Sequence, residues 1–178
     1  MAETPEYVGY IAMSLDGFIA DTDGSISWLD PFNEALTADG GDGGYGEFIA
    51  PVDAVLMGRT TYDQIMGWGW PYEDRPCYLL TRNNSATCEN IAASGNIDTL
   101  HRAITAAGHK RVWIVGGGQT QRAAMDAGLF DSMQVFVMPT LLGKGLPCFA
   151  SGPQHTLTLT SSEQLPGGIM HINYTFKD

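Results

Sequence analysis

The sequence predicts an α/β domain with a mostly parallel central sheet and a C-terminal antiparallel hairpin. Three observations predict this. Short apolar runs, rich in β-formers and apolar on both faces, recur through the first two thirds of the chain. Helical patterns fall between them, and the last third changes to strands of period two. The apolar runs are residues 7–13, 54–57, 77–80 and 112–115. Helices are expected at 61–66, 98–107 and 119–127, with a shorter helical pattern at 45–50. Asp98 suits an N-cap, and Gly108 and Gly128 suit stop positions. Residues 133–138 read as a strand and 156–163 alternate. Leu165-Pro166-Gly167-Gly168 then turns the chain into a returning strand at 169–176.

Composition bounds the rest. With 178 residues, 44% hydrophobic and 16% charged, the chain is expected to form a single globular domain over 1–178. Twenty acidic residues against nine Lys and Arg give a net charge of -11. That balance repels phosphate backbones, so nucleic acid and anionic membranes are not expected partners, while a small anionic ligand needs only two or three placed cations. Cys77, Cys88 and Cys148 are odd in number and far apart, as ordinary reduced thiols are. The N-terminus has no apolar h-region and no apolar run approaches the ~20 residues of a membrane span, so a cytoplasmic protein is expected. The four histidines show no ligand spacing. Asp21-Thr22-Asp23-Gly24 fails the calcium-loop register and reads as a turn, so no metal is expected. The glycine-rich stretch 38–44 is either a solvated loop or a lid.

Ligands of a parallel sheet bind beyond the carboxyl ends of its strands. There, Met57 is followed by Gly58-Arg59-Thr60-Thr61, Leu80 by Thr81-Arg82-Asn83, and Val115 by Gly116-Gly117-Gly118-Gln119-Thr120. Each arginine alone reads as a strand-end cap and each glycine run as a turn. Together, at three strand ends, they read as a cradle for the phosphates of a nucleotide, with a helix N-terminus opening at the glycines. Neither G-x-G-x-x-G, a P-loop nor a G-x-S-x-G elbow is present.

These same residues carry a resemblance. Met57-Gly58-Arg59-Thr60-Thr61-Tyr62, Leu80-Thr81-Arg82 and Val115-Gly116-Gly117-Gly118 resemble the dihydrofolate reductase-like superfamily, a three-layer fold. Met13-Ser14-Leu15-Asp16-Gly17-Phe18-Ile19-Ala20, the 127–131 segment and the 139–145 segment resemble, within it, the reductase domain of bifunctional riboflavin-biosynthesis proteins, here as a stand-alone member. The resemblance implies NADPH as cofactor and a homodimer paired through sheet edges and C-terminal strands. Ala12 and Ile19 are then expected to flank the nicotinamide. Arg59, Thr60 and Thr61 hold phosphates; Thr81 and Arg82 serve the adenosine 2′-phosphate side; Gly117 to Thr120 take the pyrophosphate; Gly58, Leu80, Val115 and Gly116 complete the expected cofactor-binding set. A cis peptide is expected at Gly116–Gly117 or Gly117–Gly118. Riboflavin-pathway relatives have Glu-Gly-Gly where this chain has Gly116-Gly117-Gly118, so one side chain near their substrate is missing here.

The expected activity is hydride transfer from NADPH to a small heterocyclic or carbonyl substrate. The nearest named activities are 5-amino-6-(5-phosphoribosylamino)uracil reductase and dihydrofolate reductase. The heteroatom needs a proton, from water or from a carboxylic acid of raised pKa. Asp16, Asp30 and Glu34 are the candidate acids, against their readings as a turn former and as solvated residues of a helix start. Phe18, Trp28, Trp68 and Trp70, with Tyr72, are aromatics outside core periods that could stack a flat ring. Two other readings stand beside this one: nucleotide binding without catalysis, and a dimeric sensor or scaffold.

Overall fold

A computed structural model describes residues 4–38, 40–83 and 91–176. The strands among them are β1 (Glu6–Ser14), β2 (Phe18–Ala20), β3 (Ala54–Gly58), β4 (Cys77–Leu80), β5 (Ile91–Ser94), β6 (Arg111–Gly116), β7 (Phe130–Met138), β8 (Leu146–Pro147), β9 (Thr158–Leu165) and β10 (Ile169–Thr175). The helices are α1 (Asp30–Thr37), α2 (Tyr45–Ile49), α3 (Arg59–Trp68), α4 (Ile97–Ala107) and α5 (Gly118–Asp126).

Eight strands form one sheet in the order β5-β4-β3-β6-β1-β7-β10-β9. The neighbours from β5 to β7 pair in parallel, and β10 pairs antiparallel with both β7 and β9. The α/β fold with its C-terminal antiparallel hairpin is therefore as expected. Central strands lie between two helical layers, which is why β3 and β4 read as continuous apolar runs. On one face Tyr7, Leu56, Ile114, Phe130 and Met133 pack with Leu100 and Ile104 of α4 and Ala124 of α5. On the other, Val8, Met57, Leu79 and Trp113 pack with Phe48 of α2, Tyr62 and Ile65 of α3, and Tyr72.

Several boundaries differ from expectation, each for a local reason. Helix α3 begins two residues early, directly at the end of β3, with Gly58 as an extended N-cap. In α4 the N-cap is Asn96, whose side chain accepts from the N–H groups of Asp98 and Thr99; Asp98 sits in the first turn instead. Gly108 closes α4 in the left-handed conformation, and Gly128 follows α5 at φ 63°. Helix α1 buries no whole residue, strand β5 has four residues, and β2 pairs with β8 in a short separate ribbon. None of these three gives a periodic pattern long enough to read. Trp68 is the last residue of α3 and Tyr72 is a core residue, so the 68–72 aromatics are not one loop cluster. Cys77 and Cys148 are buried, while Cys88 lies outside the described residues. The described part of the glycine-rich stretch is pinned: Asp42 accepts from Gly44 and Gly46 N–H at 2.8 and 2.7 Å, and the Tyr10 hydroxyl donates to the Gly43 carbonyl at 3.3 Å. Among the described residues, no helix is long and apolar enough to cross a membrane.

Candidate active site

A cleft of about 1230 Å³ opens at the carboxyl ends of β3, β4 and β6 and continues between α3 and the sheet. Two helices begin there. Helix α3 starts behind Gly58 and α5 behind Gly117, and neither N-cap has a side chain to bond the first N–H groups. Those groups and both helix dipoles favour negative charge at the helix mouths. Glycine lets the two mouths approach. A Cβ on Gly58 would lie 2.6 Å from Thr120 Oγ1, and one on Gly117 would lie 3.7 Å from both Thr61 Oγ1 and Ile19 Cδ1. The peptide Gly116–Gly117 is cis, at one of the two expected bonds.

Arg59 opens α3. Its Nε donates to both carboxylate oxygens of Asp63 at 2.8 Å, which fixes the guanidinium, while Nη1 is buried with no partner among the described residues. A buried cationic nitrogen without an acceptor is costly, and an anion in the cleft would satisfy it. Beyond β4, the Thr81 hydroxyl donates to the Asn83 carbonyl at 3.3 Å and accepts from the Asn83 N–H at 3.1 Å, shaping the turn that presents exposed Arg82. The opposite wall is the β2–β8 ribbon. A Cβ on Gly118 would stand 2.5 Å from the Pro147 carbonyl, so the ribbon meets the start of α5 backbone against backbone; within the ribbon, a Cβ on Gly145 would run into the Ala20 carbonyl.

Of the expected cofactor residues, Ala12, Ile19, Gly58, Arg59, Thr60, Thr61, Leu80, Thr81, Arg82, Val115, Gly117, Gly118, Gln119 and Thr120 all line this cleft. Gly116 lies buried behind it in β6. Trp68 lines the cleft and stays 62% exposed. Phe18, Trp28 and Trp70 do not line it. Phe18 pairs with Pro147 in the ribbon, and Trp28 packs beside Phe136, Met138 and Ile169. Trp70 meets Tyr72 edge-on at 5.0 Å and bonds the Glu73 carbonyl at 3.0 Å, acting as a brace.

The three candidate acids are also outside the lining. Asp30 and Glu34 are exposed on α1. Asp16 accepts from the Ser14 hydroxyl at 2.6 Å and from the N–H groups of Leu142 and Gly143 at 3.1 and 2.7 Å. These bonds, the Ser14 hydroxyl foremost, hold its carboxyl below the usual range, opposite to the raised pKa of a proton donor. Its place is a clamp between the β1–β2 turn and the segment before β8.

Sequence reasoning missed the apolar wall formed by the aromatic Tyr10 and Trp113 with the aliphatic Ile65, and with Ile26 and Leu29 beside it. The available signal was period-two alternation: Tyr10 and Ala12 on β1, and Trp113 and Val115 on β6, all face the cleft. Burial, then the Asp42 carboxylate, pushes the Tyr10 phenol up to about 12. Gly95, Asn96, Ile97 and Asp98 line the far end and went unseen because β5 went unseen.

This sheet order, with two helix mouths meeting where β3 and β6 end, defines a reductase-type fold of the dihydrofolate reductase kind. More narrowly, the chain belongs to the RibD C-terminal domain family, whose model matches residues 8–171. It is 36% identical over 165 residues to the uncharacterized protein YwjB of Bacillus subtilis, covering 89% of this chain and 87% of that one. It is 29% identical to a dihydrofolate reductase of Heliothis virescens over 71% of this chain and 72% of the relative. Among solved structures, a candidate riboflavin biosynthesis protein from Shewanella sp. PV-4 superposes with a TM-score of 0.83 at 26% identity, over 97% of this chain and 99% of that one. The diaminohydroxyphosphoribosylaminopyrimidine deaminase/5-amino-6-(5-phosphoribosylamino)uracil reductase of Thermotoga maritima shares the fold, with a TM-score of 0.72 at 15% identity. That match covers 98% of this chain and 57% of the Thermotoga chain.

Proposed function

We propose that this chain is an NADPH-dependent oxidoreductase that reduces a C=N or C=O bond of a small heterocyclic or carbonyl substrate. The observation that carries the reading is the meeting of two uncapped helix N-termini and the unpartnered Nη1 of Arg59 in one cleft. A dinucleotide fits this donor set: Arg59, Thr60 and Thr61 hold phosphate oxygens, Gly117 to Thr120 take the pyrophosphate, and Arg82 pairs with the 2′-phosphate. Gly58, Leu80 and Val115 form walls, Gly116 shapes the turn, and Ala12 and Ile19 flank the nicotinamide. When bound, the cofactor supplies the hydride. The protein orients the acceptor carbon, excludes bulk water with the β2–β8 ribbon, and leaves the heteroatom reachable by a single water. Water is the proton source in this reading, because Asp16, Asp30 and Glu34 stand outside the cleft lining.

Consumption of NADPH in the presence of pterin and pyrimidine substrates, followed by its absorbance, tests the reading. Turnover with at least one substrate supports it. Cofactor binding with no turnover across the series favours the second reading, a non-catalytic nucleotide binder, which the position of the three carboxylates makes the natural alternative. By resemblance we also propose a homodimer paired through β9 and β10; β9 is exposed along its length, with Leu159 and Met170 uncovered.

A further inference from the structure

Helix α3 runs the length of the cleft and changes character along it. Its N-terminal turn carries Arg59, Thr60 and Thr61; its later turns present Ile65 and Trp68. At helical rise these two lie about 9 and about 13 Å along the axis from Arg59. Facing them from the sheet are Tyr10 and Trp113, and Tyr72 closes the end. Among the described residues lining the cleft, the cations are Arg59 and Arg82, both at the strand-end half. Arg75, outside the lining, is engaged at all three nitrogens: Nε donates to the Val52 carbonyl, Nη2 to that of Ile49, and Nη1 to the Tyr72 carbonyl and Glu73.

Burial, foremost, keeps the phenols of Tyr10 and Tyr45 neutral. The Asp42 carboxylate adds to this at Tyr10, while at Tyr45 the Arg75 cation opposes it more strongly than Glu73 supports it. Tyr45 is an edge-on neighbour of both Tyr10 and Trp113. A phosphate or carboxylate brought to this end would lose water and meet no cation among the described lining residues, since Arg75 is not in the lining and is bonded elsewhere. A flat uncharged ring loses little and gains the aromatic wall. Trp113 Nε1 is buried with no partner among the described residues, so a ring carbonyl or nitrogen would satisfy it.

We infer that the substrate end of this cleft selects an uncharged, flat, largely apolar molecule bearing a hydrogen-bond acceptor, and discriminates against phosphorylated substrates. The inference rests on the reductase reading for its division of the cleft into cofactor and substrate ends.

The test uses 1-naphthol and 1-naphthyl phosphate, titrated calorimetrically into the protein with and without saturating NADPH. NADPH binding is measured first, so failure of the reductase reading shows itself separately. In the NADPH-saturated protein, 1-naphthol should bind more tightly than its phosphate ester by more than about tenfold. Trp68→Arg, a change at an exposed position, should narrow that gap by supplying a cation. Tyr72→Ala and Trp68→Ala should each weaken 1-naphthol several-fold while the Kd for NADPH holds. Equal or tighter binding of the phosphate ester would overturn the inference. So would failure of both probes to bind, or 1-naphthol binding indifferent to Trp68→Ala.

Discussion

Arg59, half-buried, and Asp16, exposed, show how two charged residues beside the same sheet take different parts. Arg59 is held rigid by Asp63 yet keeps Nη1 without a partner, as a binding group does. Arg59→Ala is expected to weaken NADPH and NADH alike by about 1.5–3 kcal/mol, since its proposed partners are phosphates that both carry; calorimetric Kd values for the pair check this. Asp16 is satisfied by Ser14, Leu142 and Gly143, and its carboxyl lies below the usual range. A depressed folded-state pKa stabilises the clamp above the ordinary carboxylate value of ~4, and that stabilisation is lost as pH falls through the folded value. The amide shifts of Leu142 and Gly143 should therefore titrate together below about pH 4. Asp16→Asn should remove the titration, whereas an unchanged profile in that variant would deny the clamp.

Among the elements, α3, α5 and the β2–β8 ribbon make the cleft, and glycine sets their spacing. Gly118→Ala puts a Cβ 2.5 Å from the Pro147 carbonyl, which belongs to backbone and cannot rotate away. The ribbon must lift, so NADPH affinity should fall at least about tenfold while the circular dichroism spectrum holds. Wild-type affinity in that variant would mean the ribbon is no part of the site. Legibility in the sequence followed contiguity. The strand-end groups at 58–61, 80–82 and 115–120 were readable because each is one unbroken segment after a buried strand. The apolar wall was not, because Tyr10, Ile65 and Trp113 come from three separate elements and each alone reads as core, while Tyr72 reads as a ring-stacking aromatic outside core periods and is in fact buried. Strand β5 and the ribbon are too short to carry a period, and Asn96 against Asp98 is a choice between two good capping residues two positions apart.

For the whole molecule, the eight-stranded sheet carries a core on each face, a smaller apolar cluster around Phe136, Met138 and Ile169, and a cleft that opens where the strands end. Leu56 and Ile104 are fully buried in the core under α4 and α5, so Leu56→Ala and Ile104→Ala should each cost about 2–5 kcal/mol in denaturant unfolding. Neither faces the cleft, so cofactor Kd should be retained wherever the variant stays folded. The exposed edge at β9 is where a second copy is proposed to pair. Sedimentation should report a dimer, and Leu159→Glu should shift it toward monomer; a wild-type monomer would remove the homodimer from the account. The central claim is that the strand-end cleft is an NADPH site. Trp113 and Trp68 line that cleft, so their fluorescence reports its occupancy directly. Tryptophan quenching should be titrated with NADPH and NADH on wild type and on Arg82→Ala. Quenching by NADPH is expected, weakened in Arg82→Ala, with NADH affected little by that change. No binding of either nucleotide to the wild type would contradict that claim.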